Sequence, residues 1–266
     1  MATQPTYAIL GSTGNTGNAL LQNLQKKSYA RVNAYCRNKA KLLRLFPDLK
    51  EGGNVNVFEG DIQNQELMIS CIRDCRAVFL CVSTNDNVPG CRMAQDTAAA
   101  VIEALKAVQA EKGSPRLPKL VLLSSGTVDD KFRRNMPSVL LWILLRSAAH
   151  VYHDILEAER LLRAEASWLT TIYIKPAMLS VDVQRGHALN LEDQDENPLS
   201  YLDLAAAMIE AVDDEEGTYN GRDVSVVNTG GKAKFPPGTP TCIMVGLLCY
   251  YFPWMYAYLP ANTGPK

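Results

Sequence analysis

The chain has 266 residues, of which 47% are hydrophobic and 21% charged, and its formal net charge is −1. That length and apolar content can bury one sizeable core, and α/β chains of this size commonly form a single domain. A near-neutral balance gives no electrostatic reason to expect a nucleic acid or an acidic membrane surface as partner.

The first element is the apolar run Tyr7-Ala8-Ile9-Leu10, read as a strand. It leads through Gly11-Ser12-Thr13-Gly14-Asn15-Thr16-Gly17 into a helical stretch from Asn18 to Leu24. Glycine lacks a Cβ, so it permits positive φ in a tight turn and lets backbone approach a pyrophosphate, whose charge is held by free amides at the helix start. Dinucleotide binding is therefore the first function to expect, with Gly11, Thr13, Gly14, Asn15, Thr16 and Gly17 as contacts. A bare glycine-rich turn in an ordinary α/β domain has the same residues, and the position of the loop after the first strand favours the nucleotide.

The second strand, Arg31 to Cys36, ends at Arg37-Asn38-Lys39. A site built for NADH usually places an acidic residue there against the ribose 2′-hydroxyl. A guanidinium instead pairs with a 2′-phosphate through two parallel hydrogen bonds. NADPH is the expected cofactor, gripped by Arg37 with Asn38 and Lys39 beside it, although a solvated basic helix start would read the same way. The third strand, Val55 to Phe58, is followed by Glu59-Gly60-Asp61-Ile62. Asp61 and Ile62 are placed to meet the adenine, or Asp61 caps a helix beginning near Gln63.

Ala77 to Val82 reads as a buried strand whose end, Cys81, Val82 and Ser83, joins the expected cofactor contacts. Met93 to Ala110 reads as a helix, Leu120 to Leu123 as a strand closed by Ser124-Ser125-Gly126, and about Val139 to Glu165 as one long helical stretch. A further strand, Trp168 to Ile174, stops at Lys175-Pro176; a helix from Tyr201 is capped by Ser200; Arg222 to Asn228 forms the last strand. Continuous apolar strands alternating with helices indicate a parallel sheet covered on both faces. Seven cysteines without a CxxC pair, several inside strands, read as buried thiols in a reducing compartment and make a metal site unexpected. The opening Met1 to Pro5 has no signal-peptide pattern, so the expected location is the cytoplasm.

These motifs together resemble the short-chain dehydrogenase/reductase superfamily in its atypical, NmrA-like branch. The resemblance runs over about residues 6 to 230 and rests on Gly11-Gly14-Gly17, Gly60-Asp61, Ser124-Ser125, Ala158-Glu159-Arg160-Leu161-Leu162, Lys175-Pro176 and Asp203-Leu204-Ala205. Within that branch, the opening Tyr7 to Asn15 and the apolar C-terminus look most like fungal averufin-oxidase-A-like oxidoreductases. The resemblance implies a Rossmann-type α/β fold, a doubly wound parallel sheet with helices on both faces and a small C-terminal cap. It implies one NAD(P)-binding domain over 1–266, with 177–200 and 236–266 on the substrate side. It also implies reduction of a quinone or conjugated ketone of an aromatic, anthraquinone-type polyketide in fungal secondary metabolism, with an oxygenase of the same pathway as a functional partner.

Reductases of this superfamily use a Tyr with a Lys four residues later, the Lys lowering the phenol's pKa. Here the helix reads Ser147-Ala148-Ala149-His150-Val151-Tyr152-His153-Asp154-Ile155-Leu156-Glu157-Ala158-Glu159. Glu159 as register marker puts the pair on Val151 and Ile155, while Tyr152 as the phenol has Leu156 for a partner. Neither supplies the lysine. Ser125 is the expected carbonyl-binding hydroxyl, Tyr152 and His153 are candidate proton donors, and Lys175, at the carboxyl edge of the sheet, could stabilise an oxyanion or touch the cofactor. Turn-forming and packing roles compete with each of these. Reduction to a delocalised phenolate needs less protein acid than reduction of a simple ketone.

Val139 to Leu145 and Cys242 to Leu259 are uncharged apolar stretches, the second rich in aromatics that would suit a flat ligand as a lid. Core filling or packing on a second subunit through the Trp142 helix is the alternative. A membrane span is not expected, because Pro253 interrupts the second run and it falls short of the ~20 residues a span needs. Two rival functions stand beside the reductase: a non-catalytic NADP-binding regulator, and a non-redox isomerase or dehydratase using His150, His153 or Asp154.

Overall fold

The computed structural model describes residues 4–49, 53–111 and 117–259. Residues 1–3, part of the leader reading, and 260–266, the end of the expected cap, lie outside the described residues. The strands are β1 (Thr6–Leu10), β2 (Arg31–Cys36), β3 (Val55–Glu59), β4 (Ala77–Leu80), β5 (Lys119–Leu123), β6 (Thr171–Ile174), β7 (Leu179–Ser180), β8 (His187–Asn190), β9 (Leu199–Ser200) and β10 (Asp223–Asn228). The helices are α1 (Asn15–Gln25), α2 (Lys39–Leu45), α3 (Gln65–Ile72), α4 (Met93–Ala110), α5 (Ser138–Ser147), α6 (Ala149–Ala164), α7 (Tyr201–Asp213) and α8 (Thr239–Tyr251).

One eight-stranded sheet runs β3-β2-β1-β4-β5-β6-β10-β8, and β7 pairs with β9 apart from it. Every pairing in the main sheet is parallel except that of the edge strand β8 with β10. Strand order reverses between β1 and β4, so the chain leaves these neighbours toward opposite faces and opens a crevice above their carboxyl ends. Rows of aliphatic side chains make the sheet a two-faced core. Leu20, Leu21 and Leu24 of α1 meet Leu204 and Met208 of α7 on one side. On the other, Met68, Val101, Leu105, Ile155 and Leu162 join α3, α4 and α6. Leu105 is fully buried, and truncating such a residue to Ala costs about 2–5 kcal/mol.

The structure departs from the expected single helix over Val139 to Glu165. α5 and α6 are separate and bent by 83°, with Ala148 between them at φ −127°, ψ 21°. The cause is long-range. In a continuous helix the His150 amide would bond the Arg146 carbonyl. Here Asn87 takes both groups: its Oδ1 accepts from the His150 N–H at 2.8 Å, and its Nδ2 donates to Arg146 O at 3.3 Å and to Gly246 O at 3.0 Å. α8 then presses on the corner so closely that a Cβ at Gly246 would lie 2.0 Å from Ser147 O. The strand expected from Trp168 begins only at Thr171, because Trp168 closes the turn after α6 by donating to Glu165 at 2.6 Å. Among the described residues no single helix is long and apolar enough to cross a membrane.

Candidate functional site

The glycine loop occupies the crevice between β1 and β4. Gly11 has φ +89°, and a Cβ there would meet Cys81 O at 2.8 Å. A Cβ at Gly17 would lie 2.2 Å from Gly11 O, so the start of α1 can sit on the turn only as glycine. Gly14 differs, since its missing Cβ would meet only Gly11 O at 3.4 Å, an ordinary contact. Bareness at 14 therefore leaves room outside the protein's own packing. The first-turn amides of α1, at Asn15, Thr16 and Gly17, have no helical acceptor. A cradle with open backbone and free N–H groups fits a pyrophosphate. Ser12 holds the turn to β2, donating to Tyr35 O at 3.0 Å.

At the end of β2, Arg37 is exposed and has no ion-pair partner among the described residues. Asn38 has a structural task, capping α2 by accepting from the Lys41 N–H at 2.7 Å. The backbone N–H of Lys39 donates to Glu59 Oε1 at 2.8 Å, which ties the ends of β2 and β3 together. Asp61 does not cap the next helix, a role held by Asn64. Its Oδ1 accepts from the Gln63 N–H at 3.0 Å and its carbonyl accepts from Tyr35 Oη at 2.7 Å, leaving an exposed carboxylate. Ile62 packs on the α3/α4 core.

Beyond the loop, a cavity of about 340 Å³ opens between the ends of β4, β5 and β6 and the α5/α6 corner. Gly14, Asn15 and Thr16 line it together with Cys81, Ser83, Ser124, Ser125 and Tyr152. α6 presents Val151, Tyr152 and Ile155 to this space, with Ala148 at the corner before it. The inward i, i+4 pair is thus Val151 and Ile155, the register marked by Glu159. The positions that would carry the Tyr–Lys dyad are both aliphatic. Tyr152 lines the cavity beside them, while Leu156, its i+4 neighbour, is 43% exposed.

Two expected site residues lie elsewhere. His153 is exposed and is not among the residues lining the cavity, because it falls on the outer side of α6. Lys175 is 3% exposed and also absent from the lining. Its Nζ lies 3.0 Å from Asp129, 3.1 Å from Glu159 and 3.1 Å from Asp223. Burial alone would lower the Lys175 pKa, and the carboxylates of Glu159, Asp223 and Asp129 outweigh it, so the net shift is upward. Asp129 responds in kind: burial would raise it, yet the Lys175 hydrogen bond brings it below the usual aspartate range. Arg163 completes the cluster against Glu159 at 3.2 Å and stacks 3.8 Å over the Tyr173 ring.

The aromatic C-terminal stretch does not wall the cavity. Among the described residues none from 236 to 259 lines it; α8 backs the α5/α6 corner, and Tyr251, Trp254 and Tyr258 are exposed. From 177–200, Ala177 and Leu179 do line it. Asp154 is fully buried and accepts from the Ala94 N–H at 2.8 Å and the Gln95 N–H at 2.9 Å, so it caps α4 and is not free for acid–base work. Residues to which the sequence reading gave no site role also contribute: Asn87 and Tyr201 line the cavity, with Ser124 beside Ser125. Tyr201 hydrogen-bonds the Asn15 side chain, and burial nevertheless pushes its phenol up. Only its place at the start of a capped helix after β9 could have pointed to it.

Comparison with known proteins agrees with this geometry. A family model described as NAD(P)H-binding matches residues 11–215. Oxidoreductase nsrR of Aspergillus novofumigatus is 60% identical over 98% of this chain and 98% of its own length. Oxidoreductase ptaF of Pestalotiopsis fici is 58% identical over 98% of this chain and 99% of its own. Among solved structures, a short-chain dehydrogenase/reductase of Veillonella parvula in complex with NADP aligns with a TM-score of 0.67 at 18% identity, covering 88% of this chain and 99% of that one.

Proposed function

Since the chain belongs to the NAD(P)H-binding family and is an oxidoreductase of the fungal group it matches end to end, we propose that it uses NADPH to reduce a quinone or conjugated ketone of an aromatic polyketide. One observation carries the reading: the phosphate cradle and the hydroxyl-bearing cavity are continuous, with Gly14, Asn15 and Thr16 lining the same space as Ser125 and Tyr152. Gly11 to Gly17 would hold the pyrophosphate and Arg37 the 2′-phosphate, because its exposed guanidinium can offer two parallel N–H donors. When bound, NADPH supplies the hydride.

The chain's own groups bind and orient the acceptor. Ser125 Oγ accepts from the Thr127 N–H at 3.3 Å and so keeps its proton to donate to a carbonyl oxygen. Tyr152 offers a second hydroxyl from α6. Val151, Ile155, Leu123 and Leu179 give part of the wall an apolar surface, beside the polar Ser83, Asn85 and Asn87, and that apolar part suits an aromatic face. Position 155 is Ile and position 156 is Leu, so neither register supplies the lysine of the superfamily's proton relay. That arrangement serves a substrate whose reduced form is a delocalised anion, which solvent protonates. Location in the cytoplasm is part of the same proposal.

The aliphatic pair Val151 and Ile155 favours a second reading, an NADP-binding protein without turnover. The two separate under anaerobic conditions with NADPH and a panel of hydroxyanthraquinones, followed by loss of reduced-nicotinamide absorbance. Oxidation dependent on protein supports the reductase, and saturable NADPH binding with no oxidation supports the binding protein. The isomerase or dehydratase reading loses its residues, because Asp154 caps α4 and neither His150 nor His153 lines the cavity.

A further inference from the structure

The two serines that close β5 face the same cavity with opposite hydrogen-bonding character. Ser124 Oγ donates to Glu159 Oε1 at 2.5 Å. Glu159 is 5% exposed and has Lys175 Nζ at 3.1 Å and Arg163 at 3.2 Å. A carboxylate flanked by two cations accepts hydrogen bonds and has none to give. A serine owns one proton, so Ser124, committed to Glu159, can offer a ligand only its lone pairs. Ser125 is the reverse, for its oxygen accepts a backbone N–H and its proton is free.

We infer that Ser124, polarised by Glu159, is an acceptor that reads a hydroxyl of the substrate in addition to the carbonyl oriented by Ser125. The ligand class follows: a ketone or quinone whose ring system also carries a hydroxyl with its proton free of the carbonyl oxygen. Both serines line the one cavity, so the donor and the acceptor they read belong to one ligand. This rests on the cavity being the substrate site. It adds that the buried ion cluster sets specificity through Ser124, with Glu159 a positioning residue that never touches the ligand. Three of the five charged groups, Lys175, Glu159 and Asp129, are largely withdrawn from water, which is expensive for stability alone. Here they hold one carboxylate in its accepting state against a cavity-lining hydroxyl.

The test compares 2-hydroxyanthraquinone, whose hydroxyl is too far from the quinone oxygens to bond them, with its O-methyl ether, which keeps the oxygen and removes the donor. Binding is measured by calorimetry on full-length protein saturated with NADP+, for wild type, Ser124→Ala and Glu159→Gln. Wild type is expected to hold the hydroxyl compound about tenfold more tightly, as befits a buried acceptor left unpaired by the ether. Ser124→Ala, which leaves the ion cluster in place, should bring the ratio close to one, and folded Glu159→Gln should do the same, because its amide can donate to Ser124 and free that proton. Equal affinity of wild type for the two compounds, or a ratio that survives Ser124→Ala, overturns the inference while leaving the cavity as substrate site. Failure of wild type to bind either compound removes the substrate site itself and the inference with it.

Discussion

Replacing Lys175 by Met separates a structural lysine from a reacting one. The side chain is 3% exposed and its Nζ touches three carboxylates at 3.0 to 3.1 Å. Methionine fills similar volume and removes the charge, leaving Arg163 alone to face Glu159 and Asp223. Breaking a buried ion pair by removing one partner costs about 3–5 kcal/mol. Asp223 keeps 33% of its side chain in water and can rehydrate, which puts the expected loss near the lower end, about 3 kcal/mol. For a domain of this size the melting temperature should fall by roughly 6–12 °C, read by circular dichroism. The pH dependence has a definite sign. A lysine with a raised pKa stabilises fully below its ordinary 10.5 and loses that contribution as pH climbs through the folded value. Asp129, with a lowered pKa, stabilises above its ordinary 3.8 and loses that as pH falls. The gap between wild type and variant should thus be widest between those limits and close in acid. A variant that melts with wild type yet loses turnover would refute the structural role.

Three further outcomes follow from named contacts. Asn87→Ala orphans the His150 N–H and the Arg146 and Gly246 carbonyls, and should cost about 2–3 kcal/mol in urea unfolding, together with weaker binding of any cavity ligand. His153→Ala should leave turnover and its pH profile within about twofold of wild type, since a solvated ring outside the lining exchanges nothing with the substrate; a lost ionisation in the profile would show otherwise. Gly17→Ala must push a Cβ into a carbonyl 2.2 Å away, and fluorescence titration should find cofactor affinity reduced at least tenfold in a protein that still folds.

What could be read from sequence was local. Gly17 is required by Gly11 O, six residues before it, and Gly11 by its positive φ, so the turn was legible; the close approach of Cys81 O to Gly11 was not. The Ser200 cap of α7 was legible too, accepting from the Asp203 N–H at 2.9 Å. Helical spacing offered two registers, Val151 with Ile155 or Tyr152 with Leu156, and only the cavity lining separates them, since Ile155 lines it and Leu156 does not. The rest depends on distant partners. Lys175 at a strand's carboxyl end looks free until β10 and α6 bring Asp223 and Glu159 to it. The α5/α6 corner is invisible in a run of good helix formers because its cause, Asn87, lies 63 residues before His150. Aromatic richness in 242–259 indicated contact area without indicating which face α8 would turn to the cavity, and it turned neither.

The central claim is that amides between positions 11 and 17 hold a nucleotide pyrophosphate while Arg37 selects the 2′-phosphate. Calorimetric titration of wild type and Arg37→Ala with NADPH and NADH measures it directly. The account predicts saturable binding with NADPH preferred, and a preference reduced about tenfold or more in the variant, the worth of a charge-assisted pair. A wild type that binds neither nucleotide, or a variant whose preference equals that of wild type, would contradict it.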